Sequence, residues 1–159
     1  MLRAQKQLFT ASSNIVFCNV SAVAGLDAEL DELSVDDVRQ IEDEIVSQWD
    51  AVSADQLHEM HKRVNETLRP FGCETSLLVI RRANSLALYF LCMTLSALMS
   101  LRDQWTTGQL SHVVQSLFTL LSQSTRQVRV KRLTWPTTDF ERCREFLSSV
   151  QGRPKQNRK

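Results

Sequence analysis

The amino-acid sequence predicts an α+β fold, a two-layer sandwich in which helices cover an antiparallel sheet of about four strands. Two apolar runs at residues 76–80 and 86–92, separated by a polar turn, predict a β-hairpin in the middle of the chain. On both sides of this hairpin, apolar residues recur three and four positions apart, which is the spacing of amphipathic helices. The resulting order is strand, two helices, hairpin, helical segment, strand and helix. An antiparallel sheet covered by helices is the natural packing for that order.

The two remaining strands are predicted outside the hairpin, one early and one late in the chain. Residues 15–20 are β-branched and aromatic, which is typical of a strand. Residues 127–131 alternate between polar and apolar side chains, which indicates a strand with one exposed face. Residues 25–33 are rich in acidic side chains and are predicted to form a loop before the first helix.

The helical segments are defined by their apolar faces and by residues that begin or end a helix. Ser34 precedes acidic residues, a favourable helix start because the helix dipole attracts negative charge in the first turn. Pro70 ends the second helix near Arg69 because it disfavours helical geometry in the preceding residue. The predicted helices cover approximately residues 34–49, 53–69, 94–105, 110–121 and 138–150.

Length and composition are those of one globular domain. The chain has 159 residues, of which 43% are hydrophobic and 23% are charged. We predict a mobile start at residues 1–11, a single interaction domain over residues 12–151 and a basic, disordered tail at residues 152–159. The formal net charge of +1 argues against nucleic acid as a partner, because nucleic-acid-binding domains carry a strong basic excess.

The cysteines indicate a reducing compartment. Cys18, Cys73, Cys92 and Cys143 are far apart in the sequence and form no C-x-x-C pair. Each lies among apolar residues, where a free cysteine behaves as a small buried hydrophobe. This pattern predicts free, mostly buried thiols and a cytoplasmic protein.

Two segments leave other locations open. Residues 1–25 start with basic side chains and contain no acidic one, so they share features with a signal peptide and with a mitochondrial transit peptide. A first strand after a mobile start explains this segment better, because residues 12–14 are polar. Residues 83–101 carry no charge, and the alternative function is therefore a small membrane-associated protein anchored by this run. Polar residues dilute the run, and a strand followed by a helix explains more of its surroundings.

The sequence contains no pattern typical of an enzyme. His58 and His61 are three positions apart, whereas the helical zinc motif of metalloproteases needs histidines four positions apart. The four glycines are too far apart to form a phosphate-binding loop. His112 lies beside an apolar helical stripe and is predicted to be partly buried. We therefore predict a protein without a catalytic site, metal, cofactor or small-molecule substrate.

Three segments resemble the N-terminal domain of TRADD, the TNF-receptor-associated death-domain adaptor. The clearest is Leu78-Val-Ile-Arg-Arg-Ala-Asn-Ser-Leu-Ala-Leu-Tyr89, which is similar to the hairpin of that domain and its basic turn. Residues 100–110 resemble the segment that leads into its long helix, and residues 13–18 resemble its first strand. The resemblance extends from residue 12 to about residue 147 and concerns the fold rather than a catalytic motif.

The resemblance implies an adaptor for signalling, including apoptosis, that binds another protein through a sheet face or edge. In that family the sheet edge and neighbouring loops bind the C-terminal domain of TNF-receptor-associated factors, so such a factor is the implied partner. Phe17 and Leu88 are expected to be exposed apolar anchors, with Arg81 beside them. The family's first contact position is aromatic, whereas this chain has an isoleucine there. The contact residues carried over by position are Ile15, Phe17, Arg81, Leu88 and Arg132.

Overall fold

The computed structural model describes residues 21–31, 35–54, 58–122 and 128–157, and for residues 35, 36, 58 and 151–157 it describes the backbone alone. The strands are β1 (Ala22–Leu30), β2 (Thr75–Arg82), β3 (Leu86–Cys92) and β4 (Val130–Thr134). The α-helices are α1 (Val35–Ser53), α2 (His58–Thr67), α3 (Leu95–Thr107), α4 (Gln109–Ser122) and α5 (Thr137–Asn157). A short 3-10 helix (Arg69–Phe71) leads into β2.

The described strands form one four-stranded sheet in the order β2-β3-β1-β4, and every neighbouring pair is antiparallel. The hairpin of β2 and β3 therefore lies on one side of β1, and the short strand β4 lies on the other. The register places Leu26 opposite Leu88 on β3 and Ala28 opposite Leu133 on β4. The fold is the α+β sandwich of an antiparallel sheet and helices that the sequence predicted.

The core lies between one face of the sheet and the helices. Along β1, Leu26 and Leu30 alternate with Asp27 and Glu29, so that the leucines are buried while the acidic side chains are exposed. β3 supplies Leu86, Leu88 and Phe90 to the same core, where each is fully buried. The helices cover this face with the buried side chains Ile45, Trp49, Val64, Leu98, Leu101, Leu110, Leu117, Phe118, Leu121, Phe140 and Leu147.

The tryptophan side chains join the helices to backbone or side-chain acceptors. Nε1 of Trp49 on α1 donates to the carbonyl oxygen of Leu78 at 3.3 Å, and Nε1 of Trp105 on α3 donates to that of Leu133 at 2.9 Å. Nε1 of Trp135 donates to the carboxylate of Asp139 at 3.0 Å. A large ring is thus placed beside the core while its polar N–H group keeps a hydrogen bond.

β1 is the main departure from the predicted elements. Its residues from Gly25 onward were predicted to form an acidic loop, and that prediction is wrong. The acidic side chains Asp27 and Glu29 are compatible with a strand because they alternate with buried residues and face away from the core. The predicted strand at residues 15–20 lies outside the described residues. β4 begins at Val130, three residues later than predicted.

The run at residues 83–101 is divided between three elements. It contains the hairpin turn at residues 83–85, the whole of β3 and the first half of α3. Thr94 caps α3, since its hydroxyl oxygen accepts a hydrogen bond from the amide of Ala97 at 3.0 Å. Among the described residues, no helix has the length and apolar character needed to cross a membrane.

The end of the described chain is helical. The backbone of α5 continues to Asn157. The basic, disordered tail at residues 152–159 stays a prediction. The predicted mobile start at residues 1–11 lies outside the described residues.

Candidate interaction surface

The sheet face opposite the helices is covered by no element among the described residues. We call this surface the open face. The residues on it are identified by the alternation along each strand and by the strand register. They are Val23, Gly25, Asp27 and Glu29 of β1, Ser76, Val79 and Arg81 of β2, Ala87, Tyr89 and Leu91 of β3, and Arg132 and Thr134 of β4.

The register arranges these side chains in rows across the strands. In the first row, Val23 and Leu91 are paired, and Ser76 follows on β2. In the second row, Tyr89 lies between Gly25 and Val79. Val79, Tyr89 and Leu91 are half-buried, and Val23 is 38% exposed. One end of the open face is therefore apolar and accessible.

The third row gives the other end of the open face its charge. Ala87 lies between Asp27 on β1 and Arg81 on β2, and both charged residues are exposed. Beyond this row, Glu29 is paired in the register with Arg132, whose Nε lies 3.8 Å from its carboxylate. Both signs of charge are present at this end of the face.

Tyr89 is fixed in position by its neighbours. A Cβ atom added at Gly25 would lie 3.1 Å from Cε1 of Tyr89, so the ring occupies the space that a glycine leaves free. On its other side, the guanidinium carbon of Arg81 lies 5.4 Å from the centre of the ring, and Nη2 lies 3.5 Å from the phenolic oxygen. This places an aromatic ring with a polar tip in the middle of the open face.

The edge of β1 that β4 does not cover is occupied by the first turns of α5. The amide of Gly25 donates to Oδ2 of Asp139 at 3.0 Å. The carbonyl oxygen of Val23 accepts hydrogen bonds from Nη2 of Arg142 at 3.1 Å and from Sγ of Cys143 at 3.4 Å. Because side chains of α5 satisfy these backbone groups, this part of β1 offers no free edge for another strand.

The outer edge of β2 is also interrupted. The register between β2 and β3 shifts between Leu77 and Val79, which is a β-bulge at Leu78. The carbonyl oxygen of Leu78 is the acceptor for Trp49 described above. A bulge of this kind twists an edge strand and breaks the regular ladder that an added strand needs.

Two adjacent arginines of β2 point to opposite faces of the sheet. Arg81 is on the open face, whereas Arg82 reaches α1, where Nε lies 3.5 Å from Glu42 and Nη1 lies 2.9 Å from Asp43. Burial raises the pKa of Glu42 above its ordinary value, and the charge of Arg82 opposes this effect. Arg82 therefore contributes to the contact between the sheet and α1.

The structure separates the residues that the resemblance grouped together. Arg81 and Arg132 are both exposed on the open face, but they lie on β2 and β4, with β3 and β1 between them. Leu88 has no exposed surface, so its prediction as an exposed anchor is wrong. The reason is the alternation along β3, which directs Leu88 to the core and its neighbour Tyr89 to the open face. Ile15 and Phe17 lie outside the described residues.

Sequence reasoning missed Val23, Tyr89 and Leu91. The uniformly apolar run of β3 hid its alternation, because both faces of that strand carry apolar side chains. One signal was available in the hydroxyl group of Tyr89, which is suited to a partly wet face. For β1 the signal was the alternation of Asp27 and Glu29 with apolar residues.

The described cysteines and histidines differ in exposure. Cys92 and Cys143 are free and buried, whereas Cys73 is exposed, contrary to its prediction. Burial raises the pKa of Cys92 to about 12, which leaves almost no reactive thiolate at neutral pH. His112 is exposed and not partly buried as predicted. Within the described ranges, no group of three or more His, Cys, Asp or Glu side chains could hold a metal ion.

A cleft of about 630 Å³ lies at the end of the sheet beside the hairpin turn. It is lined by residues of β1 and α1, by the turn and by Arg82. Glu42 and Arg82 are paired with each other there, with Nε of Arg82 3.5 Å from the carboxylate of Glu42. The open face is the more informative surface.

Neither a protein-family model, nor a curated protein, nor a solved structure matches this chain. Because nothing matches, the class of this protein is stated from its architecture alone. It is an α+β two-layer sandwich in which the helices cover one face of the sheet and, within the described residues, nothing covers the other.

Proposed function

We propose that this chain is a non-enzymatic, adaptor-like interaction domain that binds a signalling protein through the open face of its sheet. The observation that carries the proposal is the accessible apolar end of that face, formed by Val23, Leu91, Tyr89 and Val79. An exposed apolar patch flanked by polar residues is typical of a protein-binding surface.

The side chains of this patch have the properties of an interface centre. Tyr89 is an aromatic residue held in place by Gly25 and Arg81, so little conformational freedom is lost when a partner covers it. Tyrosine and arginine are both enriched among the residues that dominate binding energy. Val23 and Leu91 extend the apolar contact next to them.

The face is a better candidate than the uncovered part of the β1 edge or the outer edge of β2. Along β1, α5 satisfies the backbone groups of Val23 and Gly25. Along β2, the bulge at Leu78 interrupts the ladder. A partner that adds a strand to the sheet would have to displace these contacts, whereas the described residues place no helix or strand over the open face.

The partner suggested by the resemblance to TRADD is the C-terminal domain of a TNF-receptor-associated factor. Two of the contact residues carried over from that family, Arg81 and Arg132, are exposed on the open face and can meet acidic groups of a partner. A cytoplasmic role in signalling or apoptosis belongs to the same proposal.

The test measures binding of that purified factor domain to the full chain and to three variants. Val23→Asp and Leu91→Asp place a charge in the apolar patch, and each should weaken binding about 30-fold, or about 2 kcal/mol. Met99→Asp is the matched control, because Met99 is 44% exposed but lies on α3, in the helical layer. It should leave binding unchanged.

Melting curves of all variants separate loss of binding from loss of fold. Equal binding by the wild type, both face variants and the control would contradict the use of the open face. Absence of binding by the wild-type chain would remove the factor domain as the partner.

A further inference from the structure

Asp27 and Arg81 are opposite charges separated by one small residue. The register pairs Ala87 with Asp27 on one side and with Arg81 on the other, so the three side chains form one row. Neighbouring strands are about 4.8 Å apart, which places the Cα atoms of Asp27 and Arg81 roughly 10 Å from each other. Ala87 is only 5% exposed, so neighbouring side chains cover it while both charged side chains remain exposed.

Both charges lack an ionic partner in the described part of the chain. The side chain of Asp27 has no hydrogen bond or ion pair there, and the contacts of the Arg81 side chain are with the ring and hydroxyl of Tyr89. By contrast, Arg82, Arg132 and Arg142 each have a carboxylate within 4 Å. The row is therefore the place on the open face where charge of both signs remains available to another molecule.

The order of Asp27 and Arg81 across the sheet makes this row complementary to the same row of a second copy, when one particular two-fold axis relates the two copies. When two sheets pack face to face, the two-fold axis that relates them lies in the plane between them. An axis parallel to β3 places β1 of one copy over β2 of the other. Asp27 of each copy then faces Arg81 of the other, and both ion pairs form. A two-fold axis perpendicular to the strands would place Asp27 over Asp27 and Arg81 over Arg81.

The same axis also fits the apolar rows. It places Val79 of one copy over Gly25 of the other, where the ring of Tyr89 lies, and Val23 over the smaller Ser76. Tyr89 and Leu91 lie on β3, next to the axis, and each meets the same residue of the second copy. Two sheets packed in this way have nearly aligned strands, as in ordinary β-sandwiches.

We propose that the open face binds a second copy of this chain, with β3 on the two-fold axis and reciprocal Asp27–Arg81 ion pairs. This inference rests on the proposed function because it uses the same face, so a second copy and the factor domain compete for that face. With β3 on the axis, β1, β2 and β3 overlap, and three strands about 4.8 Å apart and roughly 25 Å long give about 360 Å² of flat surface per copy, less than half of the about 800 Å² of a standard interface. The dimer is accordingly weak and forms only toward millimolar concentration.

Sedimentation equilibrium of the full chain, from low micromolar to millimolar concentration, tests the inference. The wild type should pass from monomer to dimer in this range. Asp27→Arg and Arg81→Asp each create two like-charge contacts, and each should weaken self-association about 100-fold, or about tenfold for each contact. An equimolar mixture of the two variants restores both ion pairs and should dimerise like the wild type. The double variant should do the same.

Two controls carry the same changes of charge away from the open face. Asp103→Arg on α3 matches Asp27→Arg, and Lys62→Asp on α2 matches Arg81→Asp, since both positions are exposed in the helical layer. They should leave self-association unchanged.

A wild type that stays monomeric overturns the inference, and so does a mixture that associates as weakly as its two components. The proposed function fails differently. If the chain stays monomeric while Val23→Asp still weakens binding of the factor domain, the face binds another protein and only the dimer is excluded. A dimer restored in the mixture, without binding of the factor domain, supports self-association and excludes that factor.

Discussion

The backbone amide of Gly25 donates a hydrogen bond of 3.0 Å to Oδ2 of Asp139, although 114 residues separate the two in the sequence. The same carboxylate accepts hydrogen bonds from the indole of Trp135 at 3.0 Å and from the guanidinium of Arg142 at 2.7 Å. One acidic side chain thus fixes the start of α5, a buried tryptophan and the edge of β1. It holds α5 against the part of the sheet where β4 is absent.

Replacement of Asp139 should destabilise the fold. Asp139→Ala leaves the N–H groups of Gly25 and Trp135 without their acceptor, and hydrogen bonds to charged groups contribute about 1.5–3 kcal/mol each. We expect the free energy of unfolding to fall by about 3 kcal/mol, measured by denaturant titration. Glu141→Ala on the same helix removes an exposed ion pair with Arg144 and should change stability little. Equal effects of the two substitutions would contradict the role assigned to Asp139.

Glu42 should make stability depend on pH in an unusual direction. Burial raises its pKa in the folded state above the ordinary value of 4.5, so the folded protein binds more protons there than the unfolded chain. The contribution of Glu42 to stability is therefore present below that ordinary value and is lost as pH rises through the raised pKa. Glu42→Gln removes this loss, and the variant should gain stability relative to the wild type as pH increases above 4.5. Parallel stability curves for the two proteins would show that Glu42 does not titrate in this way.

Shortening Leu88 should destabilise the fold much more than shortening Leu91 on the same strand. Leu88→Ala creates a cavity in the core and should cost about 2–5 kcal/mol in the free energy of unfolding. Leu91→Ala shortens a half-buried side chain on the open face and should cost about 1 kcal/mol or less. Thermal or chemical denaturation of the two variants measures the difference. A small effect at Leu88 together with a large one at Leu91 would reverse the assignment of the two faces.

The cysteines should differ in reactivity according to burial. Cys73 is exposed and should react with iodoacetamide in the native protein, whereas Cys92 and Cys143 should react only after unfolding. Their pKa values are raised by burial, which adds a chemical barrier to the steric one. Peptide mass spectrometry at successive times follows each site separately. Native modification of Cys92 at the rate of Cys73 would contradict its buried position.

The helices and the hairpin could be predicted because their signals are local. Apolar spacing located the five α-helices of the described residues, and β3 was predicted with its observed bounds, Leu86–Cys92. Pro70 and Gly72 mark the end of a helical region through their own backbone preferences. In each case the residues that determine the element lie within it or beside it.

β1 could not be recognised in this way because its evidence lies in other parts of the chain. Ala22, Ala24 and Ala28 have little strand preference of their own. They form a strand because β3, β4 and α5 supply hydrogen-bond partners on both of its edges. The composition of β1 indicated a loop, and tertiary pairing overrode that indication.

The sequence by itself determined the fold class, the helices and the hairpin, because hydrophobic periodicity and turn residues act over a few positions. Only the tertiary structure decided that Ala22–Leu30 is a central strand and that Tyr89, and not Leu88, faces away from the core. It also decided that Asp27 and Arg81 share a row across Ala87. The physical reason is that strand register and the choice of the buried face depend on which distant segments pair. A shift of one residue would send every side chain of a strand to the opposite face.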